Sequence, residues 1–189
     1  WSAFYVAVAA LIVLSGAIAL SANGQAPEPL KHDTPAPSWR QRGYWLAAAA
    51  GPSALVIGVT GHISTDEASE PLLWVIPLAL YLATFVVAFM KGGARIEPAS
   101  LLVHPIALAL MVASYYASGN WVMSVGGILG GFFFSALICH HALARARPAA
   151  DRLTEFYLFV SLGGVLGGAF AAFLAPFIFN NIYEFPLAM

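Results

Sequence analysis

Charged residues and cysteine are both scarce in this chain. Only 9% of its 189 residues are charged, whereas about a quarter is usual in a soluble domain. Because 60% of the residues are apolar, the composition argues against an ordinary soluble domain and favours lipid as the solvent. The net charge of −1 and the lack of a dense Lys/Arg run argue against nucleic acid as a partner. The lone Cys139 excludes an internal disulfide bond.

Long apolar runs divide the sequence into candidate membrane spans. They lie at residues 1–22, 44–61, 71–90, 101–117, 121–143 and 156–179. Each is close to the ~20 residues needed to cross a hydrocarbon layer ~30 Å thick. The runs lack the alternation of a barrel strand, and a backbone in lipid must satisfy its hydrogen bonds internally. The sequence therefore predicts an all-α integral membrane protein, a polytopic bundle of about six transmembrane helices.

The basic residues fall in alternate gaps between these spans. All eight Lys and Arg residues lie in the first, third and fifth gaps, and the second and fourth gaps have none. Short loops rich in Lys and Arg remain in the cytoplasm. The alternation therefore predicts that those three gaps are cytoplasmic and that the N-terminus lies outside the cytoplasm.

Residues 23–43 form a long polar linker that contains four prolines. Such a stretch favours extended backbone. We expect this cytoplasmic linker to separate a first transmembrane helix, residues 1–22, from a five-helix membrane bundle, residues 44–189. Because the chain begins with Trp1 and a new apolar run stops at the last residue, we expect it to be an internal part of a longer protein, or the ordered part of one, ending at the start of a further segment.

Two glycine-rich stretches in consecutive predicted helices repeat one pattern, in which two glycine pairs are separated by two residues. Glycines four positions apart lie on one helix face and let another backbone approach closely. We expect both stretches to be packing faces, of which one can lie inside the bundle and the other against a partner subunit. General enrichment of glycine in membrane helices is the alternative. The glycines are Gly126, Gly127, Gly130, Gly131, Gly163, Gly164, Gly167 and Gly168.

An acidic gap follows the second predicted span, on the predicted outer side. His62 and Asp66 are four positions apart, as a helical pair would be, and Thr65 can cap the next turn. This outer polar cluster can bind a cation such as a polyamine or a metal ion. A capped interfacial helix explains the same residues without a ligand, and we favour that interpretation.

A second polar group lies near the predicted cytoplasmic side. Its members are His104, Cys139, His140, His141 and Glu155. Imidazole, thiolate and carboxylate groups ligate transition metals, and histidines on facing helices can hold a haem iron or bond a quinone. Their spacing matches no established ligand motif, so we predict no metal site and no cofactor. Glu155 is explained more simply as a first-turn acid of a helix that Thr154 caps.

Aromatic residues lie largely near the ends of the predicted spans. They are Trp39, Tyr44, Trp45, Trp74, Trp121, Tyr157 and Tyr183. This position is typical of the aromatic belt at a lipid–water boundary.

Two long stretches resemble a known family. The first stretch consists of residues 61–66 (GHISTD) and 71–85 (PLLWVIPLALYLATF). The second consists of residues 153–168 (LTEFYLFVSLGGVLGG), with Ala175-Pro176 and Asn180 beyond them. Both are similar to the membrane region of bacterial fused MFS-transporter-like/spermidine synthase proteins. The resemblance implies a multi-pass protein of the bacterial inner membrane. Family members carry a further soluble domain similar to polyamine aminopropyltransferases. This chain contains no such domain, so no synthase activity is carried over to its residues.

These observations lead to two main hypotheses for function. The first is a non-catalytic membrane module, an anchor or an accessory subunit, whose partners are the lipid bilayer and other membrane subunits. The alternative is a transporter of a small cationic or amphipathic solute such as a polyamine; a redox or cofactor-binding module is a third. The central turns of the spans contain no Asp, Glu, Lys or Arg. Because charged groups in membranes usually mark ion paths, their absence favours the first hypothesis.

Overall fold

Helices form all of the regular secondary structure in the part of the chain that is described. The computed structural model describes residues 2–21, 34–67, 74–116 and 121–178. The predicted all-α fold class is confirmed for these residues. Contacts divide the chain into two units, Trp1–Asp33 and Thr34–Met189, and the boundary falls inside the predicted linker.

The first unit contains helix α1, Ser2–Ser21, which is apolar along its length. The hydroxyls of Ser15 and Ser21 donate to the carbonyl oxygens of Leu11 and Ile18 in the same helix. These polar groups are therefore satisfied within the segment, as lipid requires.

The second unit contains the helices α2 to α7. Helix α2 covers Trp39–His62 and continues as a π-helical turn over Ile63–Glu67, α3 covers Val75–Phe89, α4 covers Gly93–Tyr116, and α5 covers Trp121–Arg145. A 3₁₀ turn, Ala150–Arg152, leads into α6, Leu153–Ala169, which continues through a π-helical stretch, Phe170–Leu174, into α7, Ala175–Ile178.

Within the described ranges, four helical stretches are long and apolar enough to cross a membrane. They are Trp39–Thr65, Gly93–Ser114, Trp121–Arg145 and Ala150–Ile178. The two other predicted spans correspond to α1 and α3, whose described apolar stretches, Val6–Ile18 and Val75–Phe89, are shorter.

Two helices begin earlier than the apolar pattern predicts. Helix α2 begins at Trp39, because the Ser38 Oγ accepts a hydrogen bond from the Gln41 N–H at 3.2 Å and so caps the helix. Helix α4 begins at Gly93, directly after Gly92, whose φ of 94° suits a residue without a Cβ. Most of the predicted loop between the third and fourth spans is therefore helical.

Helix α5 contacts α2, α3 and α4, and α6 packs along α2. One buried apolar cluster includes Val59, Met111, Ile128 and Phe132, and a second is centred on Trp45. Large apolar side chains on the opposite helix faces are exposed. They include Val86, Leu102, Ile106, Leu158, Val165 and Phe177. An apolar exterior of this extent suits contact with lipid better than contact with water.

The prediction that Trp45 belongs to an aromatic belt is wrong. Trp45 is fully buried, its indole N–H donates to the carbonyl oxygen of Ala146 at 3.1 Å, and its ring meets that of Phe156 edge-on at 5.1 Å between centroids. The other described members of the belt are exposed: Trp39, Tyr44, Trp74, Trp121 and Tyr157. Tyr183 lies outside the described residues.

Candidate functional site at the basic end of the bundle

The glycine face of α6 lies directly against the backbone of α2. A Cβ on Gly163 would overlap the carbonyl oxygen of Leu46, and a Cβ on Gly167 would overlap that of Ala50. The other two glycines of this stretch, Gly164 and Gly168, would place a Cβ 3.4 Å from side-chain atoms of α2. The close approach of the two helices therefore depends on the absence of side chains at two positions four residues apart.

The glycine stretch of α5 has one face inside the bundle and one outside. A Cβ on Gly131 would lie 2.5 Å from the Cβ of Met111 in α4, and a Cβ on Gly127 would overlap the Ser114 hydroxyl. Gly126 and Gly130 have no neighbouring atom within 4 Å of the same position. Each glycine stretch thus has a packing partner in this chain, α2 for α6 and α4 for α5.

All described Lys and Arg residues lie at or next to helix ends, namely the start of α2, the turn between α3 and α4, the end of α5 and the start of α6. Arg42 near the start of α2 pairs with Glu155 near the start of α6, with an Nε–Oε1 distance of 2.6 Å. Arg145 at the end of α5 pairs with Glu97 near the start of α4, with an Nη1–Oε1 distance of 2.7 Å. We call this side of the second unit the basic end. Lys31 lies outside the described residues.

A network of charged groups joins α2 to α6 at the basic end. Besides Arg42, Glu155 also faces Arg152, whose Nη1 lies 3.9 Å from Oε2. The guanidinium carbon of Arg42 lies 4.6 Å from the centre of the Trp39 ring, a cation–π distance. Glu155 is in the first turn of α6, as predicted, but no side chain caps that helix and Thr154 is exposed.

The same network holds the chain that precedes α2. The Thr34 N–H and Oγ1 donate to the Asp151 Oδ2 at 3.2 and 2.7 Å, and the Arg152 Nη2 donates to the Thr34 carbonyl oxygen at 3.0 Å. Sequence reasoning missed these contacts, because their partners are 117 and 118 positions apart and no local spacing indicates them.

His140 is a fully buried polar residue of α5. Its Nδ1 lies 2.9 Å from the Thr84 hydroxyl of α3, and its ring lies 3.9 Å from the Phe85 ring, centroid to centroid. Its Nε2 is buried and has no hydrogen-bond partner among the described residues. Nearby in α3, the hydroxyl of Tyr81 lies 3.2 Å from that of Ser53 in α2. The polar side chains between α2, α3 and α5 thus bond largely to one another.

The other inner metal candidates have different partners. The His104 Nε2 lies 3.2 Å from the Ser135 hydroxyl, Glu155 is held by Arg42, and Cys139 is a half-buried free thiol. No group of three or more His, Cys, Asp or Glu residues in the described ranges is arranged to hold a metal ion.

A cleft of about 260 Å³ opens at the basic end, where α3 ends, α4 begins and α5 ends. Its polar side chains are Glu97, His141, Arg145 and Arg147. His141 is 2% exposed, and its Nε2 has no hydrogen-bond partner in the described part of the chain. The opposite wall is apolar and includes Ala88, Phe89 and Met90. We call this the α3–α4–α5 cleft.

The predicted outer polar cluster is only partly described. His62 is buried at the end of α2, and the exposed Thr65 donates its hydroxyl to the Gly61 carbonyl oxygen in the preceding turn. The side chain of Asp66 lies outside the described residues. Cation binding at this cluster therefore stays a prediction.

The described fold is that of an all-helical protein with four helices able to cross a membrane. Its charged side chains form ion pairs between helices at one end of the second unit. Comparison with protein-family models, curated proteins and solved structures finds no match to the chain.

Proposed function

We propose that this chain is a non-catalytic, multi-pass membrane module, an anchor or accessory subunit in the inner membrane of a bacterium. In this proposal α1 and α3 complete six spans, and other membrane subunits and lipid are the partners. The observation that carries it is the α2–α6 interface, where Gly163 and Gly167 meet the backbone of α2 without an intervening side chain. Such an interface suits a fixed scaffold, because lipid-embedded helices associate through close packing.

The proposed orientation rests on the basic end. Every described Lys and Arg lies there, at or next to the ends of helices that carry the Arg42–Glu155 and Arg145–Glu97 pairs. Because basic loops remain cytoplasmic, this end faces the cytoplasm in our proposal, and the N-terminus of α1 lies outside. The exposed apolar side chains of α4 and α6 then face acyl chains.

The proposed family is that of the membrane region of fused MFS-transporter-like/spermidine synthase proteins. It rests on the sequence likeness at residues 61–66, 71–85 and 153–168. The second stretch supplies both Glu155, the partner of Arg42, and the glycines that meet α2. In this proposal, the second stretch of resemblance is the one that packs α6 against α2.

Transport of a small cationic or amphipathic solute is the second candidate. It is supported by the uncharged polar side chains between α2, α3 and α5, such as Tyr81, Thr84 and His140. A solute with a positive charge would find no Asp or Glu among the described residues there. Burying such a charge without a partner would cost on the order of several kcal/mol.

Uptake of radiolabelled spermidine into proteoliposomes separates the two candidates. We expect a scaffold to give the same uptake as protein-free vesicles at all spermidine concentrations. Saturable uptake that falls in a Thr84→Val variant, or after neutralisation of Asp66, Glu67 and Glu70, would contradict the scaffold proposal. A Thr60→Val variant is the matched control, because that hydroxyl bonds only to Val56 in its own helix at 2.6 Å.

Native mass spectrometry of the detergent extract tests the accessory role by identifying the proteins bound to the chain. We expect the chain to be recovered with another membrane protein or as part of a larger polypeptide. Recovery of the bare chain together with flux in vesicles would contradict the proposal.

A further inference from the structure

We infer that the α3–α4–α5 cleft binds the phosphate of an anionic phospholipid head group from the cytoplasmic leaflet. This inference rests on the membrane orientation of the proposed function, but not on the choice between scaffold and transporter. It is carried by the charges, the buried imidazole and the apolar wall that meet in one cleft.

The charges of the cleft favour an anion. Arg145 forms an ion pair with Glu97, so these two groups nearly cancel. Arg147 is exposed and has no carboxylate partner among the described residues, and it leaves a net positive charge at the cleft. The first residues of α4, Gly93 and Ala94, also line the cleft, and the N-terminus of this 24-residue helix adds a positive partial charge.

His141 supplies a hydrogen-bonding group that nothing else in the described structure uses. His141 lines the cleft and is only 2% exposed, and its Nε2 has no hydrogen-bond partner among the described residues. A buried polar atom without a partner is costly. A phosphate oxygen can accept from the imidazole N–H and from the Arg147 guanidinium together, and hydrogen bonds whose donor or acceptor is ionised are the strong ones.

The remaining wall and the size of the cleft favour a lipid. Phe89 and Met90 line it on the α3 side, and α3 continues away from the basic end with exposed apolar residues such as Val86. An acyl chain can follow that surface while its phosphate stays at the basic groups. The volume of about 260 Å³ is below the roughly 300–1,000 Å³ of pockets for drug-sized ligands. A phosphate head group is smaller than such a ligand and needs a smaller pocket. Basic pockets between helices at the cytoplasmic side are known to hold lipid phosphates.

Lipid binding to the purified, delipidated full chain tests this inference, with bound ligands counted by native mass spectrometry. The probes are phosphatidylglycerol, diacylglycerol (which lacks the phosphate) and inorganic phosphate. We expect saturable binding of phosphatidylglycerol that weakens about tenfold in Arg147→Gln, as loss of one charge-assisted hydrogen bond predicts. The matched control is Arg40→Gln, which removes an exposed charge of the basic end outside the cleft and should leave binding unchanged.

A second variant tests the imidazole. His141→Phe keeps a ring but removes both nitrogens, and we expect it to weaken phosphatidylglycerol binding without changing that of diacylglycerol. If it fails to fold, Arg147→Gln still decides, because that side chain is exposed. The spermidine flux assay is independent of these measurements, so evidence for transport leaves the lipid inference standing, and failure of lipid binding leaves the scaffold proposal standing.

Three outcomes would overturn the inference. Equal losses in Arg147→Gln and Arg40→Gln would mean general attraction to a basic surface. Diacylglycerol binding as tightly as phosphatidylglycerol would mean that the acyl chains alone are recognised. Inorganic phosphate binding that Arg147→Gln abolishes, with no binding of phosphatidylglycerol, would assign the site to phosphate from solution instead of lipid.

Discussion

The Arg42 Nε lies 2.6 Å from the Glu155 Oε1, and this pair joins the start of α2 to the start of α6. The two side chains are only 19 and 23% exposed, so water screens them less than it screens a surface pair. The pair lies at the same end as the indole of Trp45, which donates to the chain after α5. Together with the glycine packing, these contacts tie the start of α2 to the start of α6 and to the end of α5.

Arg42→Gln should destabilise the second unit. The change leaves the Glu155 carboxylate without its main partner, and we expect a loss of about 2 kcal/mol, as for hydrogen bonds to charged groups. Thermal unfolding in detergent measures it. The control is Arg40→Gln, an exposed neighbour, which should change stability little. Equal effects of the two variants would contradict a specific role for the pair.

The glycines of α5 and α6 offer a matched pair of substitutions. Gly167→Ala should destabilise the bundle, because the new Cβ would overlap the Ala50 carbonyl oxygen. Gly130→Ala meets no atom within 4 Å and should be neutral or stabilise by up to ~1 kcal/mol through helix propensity. Unfolding of both variants in increasing SDS compares them. A loss as large at Gly130 as at Gly167 would remove the packing explanation.

Gly130→Leu asks whether the open side of α5 meets another protein. No atom of the described structure lies within 4 Å of a Cβ at that position, and we expect the module to fold with the larger side chain. If the face formed by Gly126 and Gly130 meets a partner, the variant should lose that partner from the native complex, whereas the unsubstituted protein should retain it. Unchanged recovery of every co-purified protein would remove the predicted role of this glycine face in assembly.

Thr84→Val should destabilise α3 against α5. It keeps the shape of the side chain but leaves the buried Nδ1 of His140 without the hydroxyl 2.9 Å away. A lost partner for a buried polar group costs about 1–3 kcal/mol. Thr60→Val again serves as control, since its hydroxyl bonds within its own helix. Thermal unfolding that does not distinguish the two variants would show that the Thr84–His140 contact adds no stability.

The helices and their apolar character could be predicted from the sequence because both follow from local composition. Runs of about twenty apolar residues specify α5 closely and locate the end of α4, and glycines four apart indicate where backbones approach. The early start of α2 could not be predicted from hydropathy, because it is set by the Ser38 side chain, which caps the helix, and not by the first apolar residue. Gly92 ends the turn before α4 through its positive φ, which no apolar pattern reports.

The polar contacts of the site were far less predictable. Glu155 was correctly placed in a first turn, but its partner Arg42 is 113 positions away, so only the packing of α6 on α2 reveals the pair. The two neighbouring histidines looked like one cluster in the sequence. In the helix they diverge, and His140 bonds to Thr84 whereas His141 lines the α3–α4–α5 cleft. Trp45 resembles a boundary residue in the sequence, because hydropathy does not show that its indole N–H donates to the carbonyl oxygen of Ala146, 101 positions away.

Cysteine accessibility tests the central claim most directly, namely that the second unit crosses the membrane with its basic end in the cytoplasm. In a Cys139→Ala background, single cysteines at Ser64, after α2, and at Lys91, after α3, lie at opposite ends of the proposed spans; both positions are exposed. Lys91 is preferable to Gly92, whose positive φ would strain a cysteine. We expect a membrane-impermeant maleimide to label Ser64→Cys in intact cells and Lys91→Cys only after the cells are opened. Equal labelling of both in intact cells, or the reverse order, would contradict the account.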